Sequence, residues 1–541
     1  MSDFAAATEL IIRARLKDDP VSATLAGIHD YDAELPDLTP DGVAHTRAQL
    51  VAQAAILEDF TPGDLTPDER LDHRLLASLL DVELRELDEH KPTEHDPSLY
   101  PSIAAEGVYA ILARDFAPLA QRLSSVIARL EKTPALLAAG ARNLKRSPRI
   151  WTEIALDETA GARAFLDETV AALLPDTAQA RGALKVAIAS LNAYEDFLKQ
   201  TYFQRDGMAF AVGRDFFDYK LKHEHFLPYT TQSLLEFGEE AVRLTEIRLG
   251  EVATIIDPDT TWSELVERLR TDHPGAGELL DEYRRGLGEA RRFVVERGLV
   301  SVPDGESLEI VETPLFLRPT LPYAAYGAPG IFEPAQQGLY YVTPIDAHAS
   351  EQERREQLLG HNRYGMLLTN VHEGYPGHHL QLVIANHAPS LVRRFFDSTV
   401  FCEGWALYCE QLVLDEGMTD DPRARLFQLK DQLWRACRVV IDVKLQTCEM
   451  TFDDAVDMLV DVAKLERVNA ISEVRRYTQS ATQPMSYLVG KQQIMDFRER
   501  EKLRLGPAFD LRGFHDRLLS QGSIPVALLD WSSAGAAGAG G

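Results

Sequence analysis

The stretch His372-Glu373-Gly374-Tyr375-Pro376-Gly377-His378-His379 constrains this chain more than any other, because no continuous helix can use it as a site. It follows an apolar run of helical character and sets three imidazoles and a carboxylate within eight residues, the raw material of a zinc-hydrolase centre. In the common H-E-x-x-H arrangement the second His lies four residues after the first. One helix face then offers both nitrogens to a metal while the Glu serves as base. Here that fourth position is Pro376. At ~100° per residue His378 would lie about 120° off the face of His372, and His379 near that face but about 10 Å further along. Pro376 has no N–H for the carbonyl four residues earlier, and Gly374 and Gly377 flank it with backbone freedom, so the helix is expected to break or bulge. A distorted turn brings His378 back beside His372, with His379 as the competing second ligand. The plainer alternative is a solvated helix end followed by an ordinary Gly-x-Pro-Gly turn.

A third ligand is expected from Phe401-Cys402-Glu403-Gly404-Trp405-Ala406-Leu407-Tyr408-Cys409-Glu410. An acid embedded among large apolar residues is costly to bury unless a cation or hydrogen bonds offset it. Glu403 comes 25 residues after His378, room for a helix, a turn and a return. A catalytic zinc takes three protein ligands and keeps one position open, so two His and one Glu would complete it. Glu410 lies on a similar face and is either the alternative ligand or an acceptor for a His N–H. A structural salt bridge at Glu403 is the competing reading.

With 541 residues, 45% hydrophobic and 26% charged, the chain can bury a large core and is too apolar for disorder. Length alone suggests about three or four domains, although helical chains often share one extended core. A net charge of −28 argues against nucleic acid, which demands a basic face, and against anionic membrane surfaces. Met1-Ser2-Asp3-Phe4 begins no secretory signal, and no run approaches ~20 apolar residues, so a cytoplasmic protein without membrane partners is expected. Cys402, Cys409, Cys437 and Cys448 include no C-x-x-C pair and read as core thiols, with Cys402 close to the site because it adjoins Glu403.

Residues 1–215 read as a helical scaffold. Ala5 to Leu16, Glu69 to Leu87, Tyr109 to Leu130 and Ala183 to Leu198 carry apolar residues at helical spacing, separated by connections such as Thr61-Pro62-Gly63-Asp64. Residues 216–531 read as the catalytic region, beginning with helices over Ser233 to Ile256, Thr261 to Arg270 and Glu278 to Arg297. Leu308 to Thr313, Tyr323 to Tyr326 and Gly338 to Thr343 are short, β-branched or aromatic and bounded by Pro and Gly, predicting a small sheet at about 306–345. Gly338 to Thr343 is the candidate edge strand that would align a substrate backbone beside the metal. His348 and His361, between sheet and motif, read as surface or core residues. The Gly/Ala/Ser-rich tail, 532–541, is expected to be flexible.

The octapeptide, together with Glu403-Gly404-Trp405-Ala406-Leu407-Tyr408, resembles the bacterial domain-of-unknown-function family 885 (DUF885). Arg476-Tyr477, Gln483-Pro484, Ser486-Tyr487 and Gly490-Lys491 add to the resemblance, as does the stretch from Phe217-Asp218-Tyr219 to Gly238-Glu239-Glu240. It covers most of the chain from about Gly213 onward. The chain departs from the pattern at Thr482-Gln483-Pro484, where relatives read Pro-Gly-Gln-Ala. The resemblance implies a mainly α protein with a large multi-helix, zincin-like metallopeptidase architecture and a small β-sheet beside the active-site helix.

The expected chemistry is zinc-dependent hydrolysis of short peptides. His372, His378 and Glu403 would hold Zn2+, and Glu373 would be the general base. Tyr487, with Tyr477 and Arg476 behind it, would donate to the oxyanion. An amidase or esterase acting on a small molecule, and a non-catalytic helical metal binder, are the alternatives. A purely structural zinc would use four protein ligands and need no adjacent base, so Glu373 favours catalysis.

Overall fold

The Pro-rich connections become helix starts. At Asp19-Pro20, Thr39-Pro40, Thr66-Pro67 and Asp421-Pro422 the Asp or Thr side chain accepts a backbone N–H of the first turn, and the Pro occupies a position whose own N–H would be unpaired anyway. Thr261 and Glu264 close a reciprocal cap ahead of the helix Trp262–Leu269. The structure, a computed structural model, describes residues 2–201, 210–318, 321 and 323–531. The tail at 532–541 lies outside the described residues.

Helices dominate, with one small sheet. The first part supplies Asp3–Asp18, Pro40–Glu58, Pro67–Glu89, Leu99–Leu112, Leu119–Asn143, Arg149–Ala164 and Ala178–Thr201. The expected helix from Tyr109 to Leu130 is therefore two helices, parted at 113–118. Pro118 withholds an N–H and disfavours the helical conformation of Ala117 before it, so periodic apolar residues on either side belong to different axes. Tyr100, Val126, Leu130, Phe165 and Leu191 bind these middle helices into one apolar layer. The largest core instead joins Ile11, Leu75 and Leu76 to Tyr283, Tyr340, Trp405 and Phe514, so it draws on residues either side of position 215.

The helices that matter for the site are α1 (Thr231–Ile256), α2 (Leu279–Arg297), α3 (Arg363–Glu373), α4 (His378–Ala385), α5 (Thr399–Asp415), α6 (Pro422–Gln446), α7 (Arg467–Gln479) and α8 (Ser486–Leu505). Between α2 and α3 lie β1 (Ser307–Glu312), β2 (Ala324–Gly327) and β3 (Gln337–Val342). The sheet order is β1-β3-β2, with β1 parallel and β2 antiparallel to β3. The expected edge strand is thus the central one. Leu339, Tyr340, Tyr341 and Val342 are all buried, and an apolar run of this kind suits a strand paired on both sides. The edges belong to β1 and β2, and the four residues of β2 are only half-buried.

Candidate metal centre

The octapeptide folds as a broken helix. α3 ends at Glu373, the Gly377 N–H turns back to the Val371 carbonyl at 3.0 Å, and α4 begins at His378. A side chain at position 377 would collide with the His372 carbonyl, so glycine is required where the chain doubles back. The Tyr375–Pro376 peptide is cis. Trp405 of α5 donates its indole N–H to the Pro376 carbonyl at 2.7 Å, fastening the turn to the helix that carries Glu403.

This arrangement brings His372, His378 and Glu403 together, with one donor atom from each lying within 4.8 Å of the others. Glu403 Oε2 is 3.2 Å from His378 Nε2 and 3.6 Å from His372 Nε2. Metal–ligand bonds of ~2.0–2.1 Å place tetrahedral donors about 3.3 Å apart, close to the two separations from Glu403, so a small inward movement of the imidazoles would complete a zinc site. Glu403 Oε2 is buried and completes no hydrogen bond, as a carboxylate oxygen reserved for a cation would be. Burial opposes the charge on Glu403, but the two imidazoles outweigh it and hold the carboxyl well below its ordinary range. Burial likewise opposes charge on His372, yet Glu403 and Glu410 raise its pKa to about 9. Two acids gathered around one imidazole create the negative field a cation would satisfy.

Glu410 supports rather than joins this set. The His372 Nδ1–H donates to Glu410 Oε1 at 2.8 Å, which leaves Nε2 aimed at the cluster. Glu410→Gln is expected to weaken metal affinity about 10-fold, the lower end of the range for such supporting acids, because the amide oxygen still accepts but adds no basicity to the ring. Competition with a chromophoric chelator measures this, and unchanged affinity would remove Glu410 from the supporting role.

The remaining sequence-predicted residues divide. Glu373 lines the same cavity of about 370 Å³ as His372, His378 and Glu403. Burial pushes its carboxyl up, against the pull of His372 and His378. Tyr487 also lines the cavity, its ring stacked with a centroid 6.1 Å from that of His372, and Gln483 Nε2 lies 3.4 Å from its hydroxyl and 3.5 Å from Glu403 Oε1. Arg476 reaches the cavity wall. His379 does not join the cluster: Nε2 donates to Glu306 at 2.7 Å and the Tyr326 hydroxyl donates to Nδ1 at 3.0 Å. Tyr477 stands behind the wall, its hydroxyl accepting from Trp434 and from Arg438 Nε. His361 is a buried core histidine bonded to the Tyr283 hydroxyl. Cys402 lines the cavity and donates to Asp397, whereas Cys448 is exposed.

Arg435 and Arg438 are cavity residues that the sequence reading passes over. They sit in Leu433-Trp434-Arg435-Ala436-Cys437-Arg438-Val439-Val440, and the buried-charge argument that singles out Glu403 applies equally to them.

The cluster is carried on a tight helix pair. Gly404 of α5 faces Gly490 of α8, where an added Cβ at 490 would lie 2.8 Å from Gly404 Cα and collide with the Val400 carbonyl. Paired glycines let the two backbones approach closely, and Val400 and Leu407 of α5 cluster with Leu488 and Val489 of α8, so main-chain approach and side-chain packing together fix Glu403 relative to Tyr487.

Fold and centre together define a mainly helical protein with a small three-stranded sheet and a His/His/Glu cluster lining a cavity. The chain belongs to the family described as bacterial protein of unknown function (DUF885), whose profile matches residues 20–532. It is similar over 98% of its length, at 28% identity and a TM-score of 0.79, to a solved protein of Shewanella oneidensis provisionally described as a lipoprotein of unknown function, of which 99% is covered. A second solved protein, from Colwellia psychrerythraea and also provisionally described as a lipoprotein, shares the fold at a TM-score of 0.81 and 19% identity, with 97% of each chain covered. Among curated proteins, none matches. No helix among the described residues is long and apolar enough to cross a membrane.

Proposed function

We propose that this protein is a zinc-dependent hydrolase, a metallopeptidase of zincin-like organisation that cleaves short peptides. The observation that carries the reading is the convergence of His372, His378 and the unpartnered Glu403 oxygen in a cavity that also holds the carboxyl of Glu373. A zinc ion held by those three side chains would supply Lewis acidity and a water of near-neutral pKa.

The rest is the work of the chain's own groups. Glu373 takes the proton of the attacking water and passes it to the leaving amine, and its buried setting keeps its pKa closer to the working pH. The Tyr487 hydroxyl donates to the developing oxyanion, with Arg476 at the same wall. Tyr477 acts by holding Arg438 in place. Substrate backbone aligns on the free edge of β2, since Ala324, Ala325 and Tyr326 line the cavity and β3 has no edge to offer. A volume of about 370 Å³ sits at the low end of the roughly 300–1,000 Å³ typical of small-ligand sites, which favours short substrates over folded ones.

Purified protein is expected to contain about one equivalent of zinc and to cleave members of a peptide library, read by mass spectrometry, in a chelator-sensitive way. Zinc at 100 times its dissociation constant should stabilise the metal-free protein by about 2.7 kcal/mol. Absence of metal, of stabilisation and of cleavage would overturn the reading. Cleavage of amides or esters alone would shift it to a small-molecule hydrolase.

A further inference from the structure

The cavity is lined by charge of both signs. Glu373, Glu403 and Glu410 supply the acids around the cluster, and Arg435 and Arg438 of α6 and Arg476 of α7 supply guanidinium groups to the same wall. Lys430, Asp431 and Glu473 line the cavity as well. Glu473 accepts from Arg438 at 2.8 Å and from Arg476 at 2.9 Å, while Asp431 lies 3.5 Å from Lys430 and 3.9 Å from Arg435. Four cations thus face two carboxylates. Another lining acid, Glu466, already pairs with Arg270 at 3.3 Å.

Internal bonds do not use all of these N–H groups. Arg438 is 2% exposed, yet its Nη1 makes no hydrogen bond of ordinary geometry, and neither does the buried Nε of Arg435. A buried guanidinium N–H without a partner is costly, so such groups are kept where a ligand supplies the acceptor. Their aromatic setting fixes their planes: the Arg435 and Arg438 guanidinium carbons lie 4.1 and 4.3 Å from the Trp434 ring centre. Planar, pre-oriented guanidinium groups match the two oxygens of a carboxylate.

Position narrows the ligand further. Tyr487 contacts both Arg438 and His372, its ring centre 4.4 Å from the Arg438 guanidinium and 6.1 Å from the His372 ring. The guanidinium and the imidazole are therefore no further apart than those two contacts end to end, a span of at most about three extended residues at ~3.4 Å each. We propose that Arg438, with Arg435 and Arg476, receives the free C-terminal carboxylate of a short peptide, so that cleavage falls one or two residues from the C-terminus. This deepens the hydrolase reading and rests on it for the cleavage step, but the binding step stands apart.

The test compares N-acetylated tripeptides bearing a free C-terminal carboxylate with their C-terminal carboxamides, of the same shape but uncharged. Turnover is measured with the zinc-loaded wild-type protein, and binding by calorimetry with the full-length Glu373→Gln variant. The acids are expected to exceed the amides about 10–100-fold in kcat/KM and in affinity, the scale of one lost charged hydrogen bond. Arg435→Gln, which gives up long contacts to Asp431 and the stacking on Trp434, should reduce this preference to within about 3-fold, and Arg438→Lys, which keeps charge but loses the fork, should leave it intermediate. Equal handling of acids and amides by a protein that hydrolyses both overturns the carboxylate site and leaves the hydrolase standing. Selective binding of acids without turnover supports the site and removes the hydrolase. Binding of neither overturns the site directly.

Discussion

Glu373→Gln is expected to lower peptide hydrolysis by about 10²–10⁴-fold while zinc stays bound at one equivalent, the scale of a lost general base. The amide matches the carboxylate in size, so the buried position at the end of α3 is refilled without a void. It cannot accept the water's proton, and none of the three clustered donors is touched. Stability points the same way. Burial raises the folded-state pKa of Glu373 above its ordinary value of 4.5, so in the metal-free protein this carboxyl favours folding at low pH and costs stability as pH rises past that value. A neutral amide removes that cost, and the variant should unfold at the same urea concentration as wild type, or higher, near pH 7. Activity within a few-fold of wild type would take the base role from Glu373, and loss of metal would make it a ligand instead.

Gly490→Ala is expected to destabilise the protein by about 2 kcal/mol and to weaken zinc binding at the same time. Helix propensity alone predicts the opposite sign, a gain of roughly 1 kcal/mol for Ala over Gly inside a helix. Sterics decide against it. The new Cβ on α8 would fall on the Val400 carbonyl of α5, and a backbone carbonyl yields only if the helix moves. Overpacking of this kind costs typically 1–3 kcal/mol, and here the displaced helix also carries Glu403. Urea midpoints and chelator competition, measured on the same preparation, separate the two effects. A more stable variant with unchanged zinc affinity would show that the α5–α8 approach is not what positions Glu403.

The helix break was legible because its causes are local. Pro376 and the two glycines act on their own backbone, so the interruption between Glu373 and His378 follows from neighbours in sequence. The same holds for the capped helix starts at Thr39, Thr66 and Thr261. What depends on distant partners was read less well. Gly338 to Val342 is visibly a strand, but whether it lies at an edge depends on β1 and β2, which pair from either side. His379 could not be set apart from His378 by spacing, since the choice rests on Glu306 and Tyr326, more than fifty residues upstream. Arg435 and Arg438 carry a usable signal, charge within an apolar helix, but which cavity they face depends on helices far along the chain.

The reach of α5 has a consequence for how such a chain can change. Glu403 and Glu410 approach opposite nitrogens of the single His372 ring, one at 3.6 Å from Nε2 and the other at 2.8 Å from Nδ1. Seven residues at ~1.5 Å each set the two Cα atoms about 10 Å apart along one straight rod, close to two full turns, and the side chains lean inward from there to the ring. The helix therefore works as a caliper closed on an imidazole. Inserting or deleting a single residue between positions 403 and 410 would swing one jaw by ~100° and carry it past the ring. Substitutions along that span can be absorbed one at a time, but its length cannot drift.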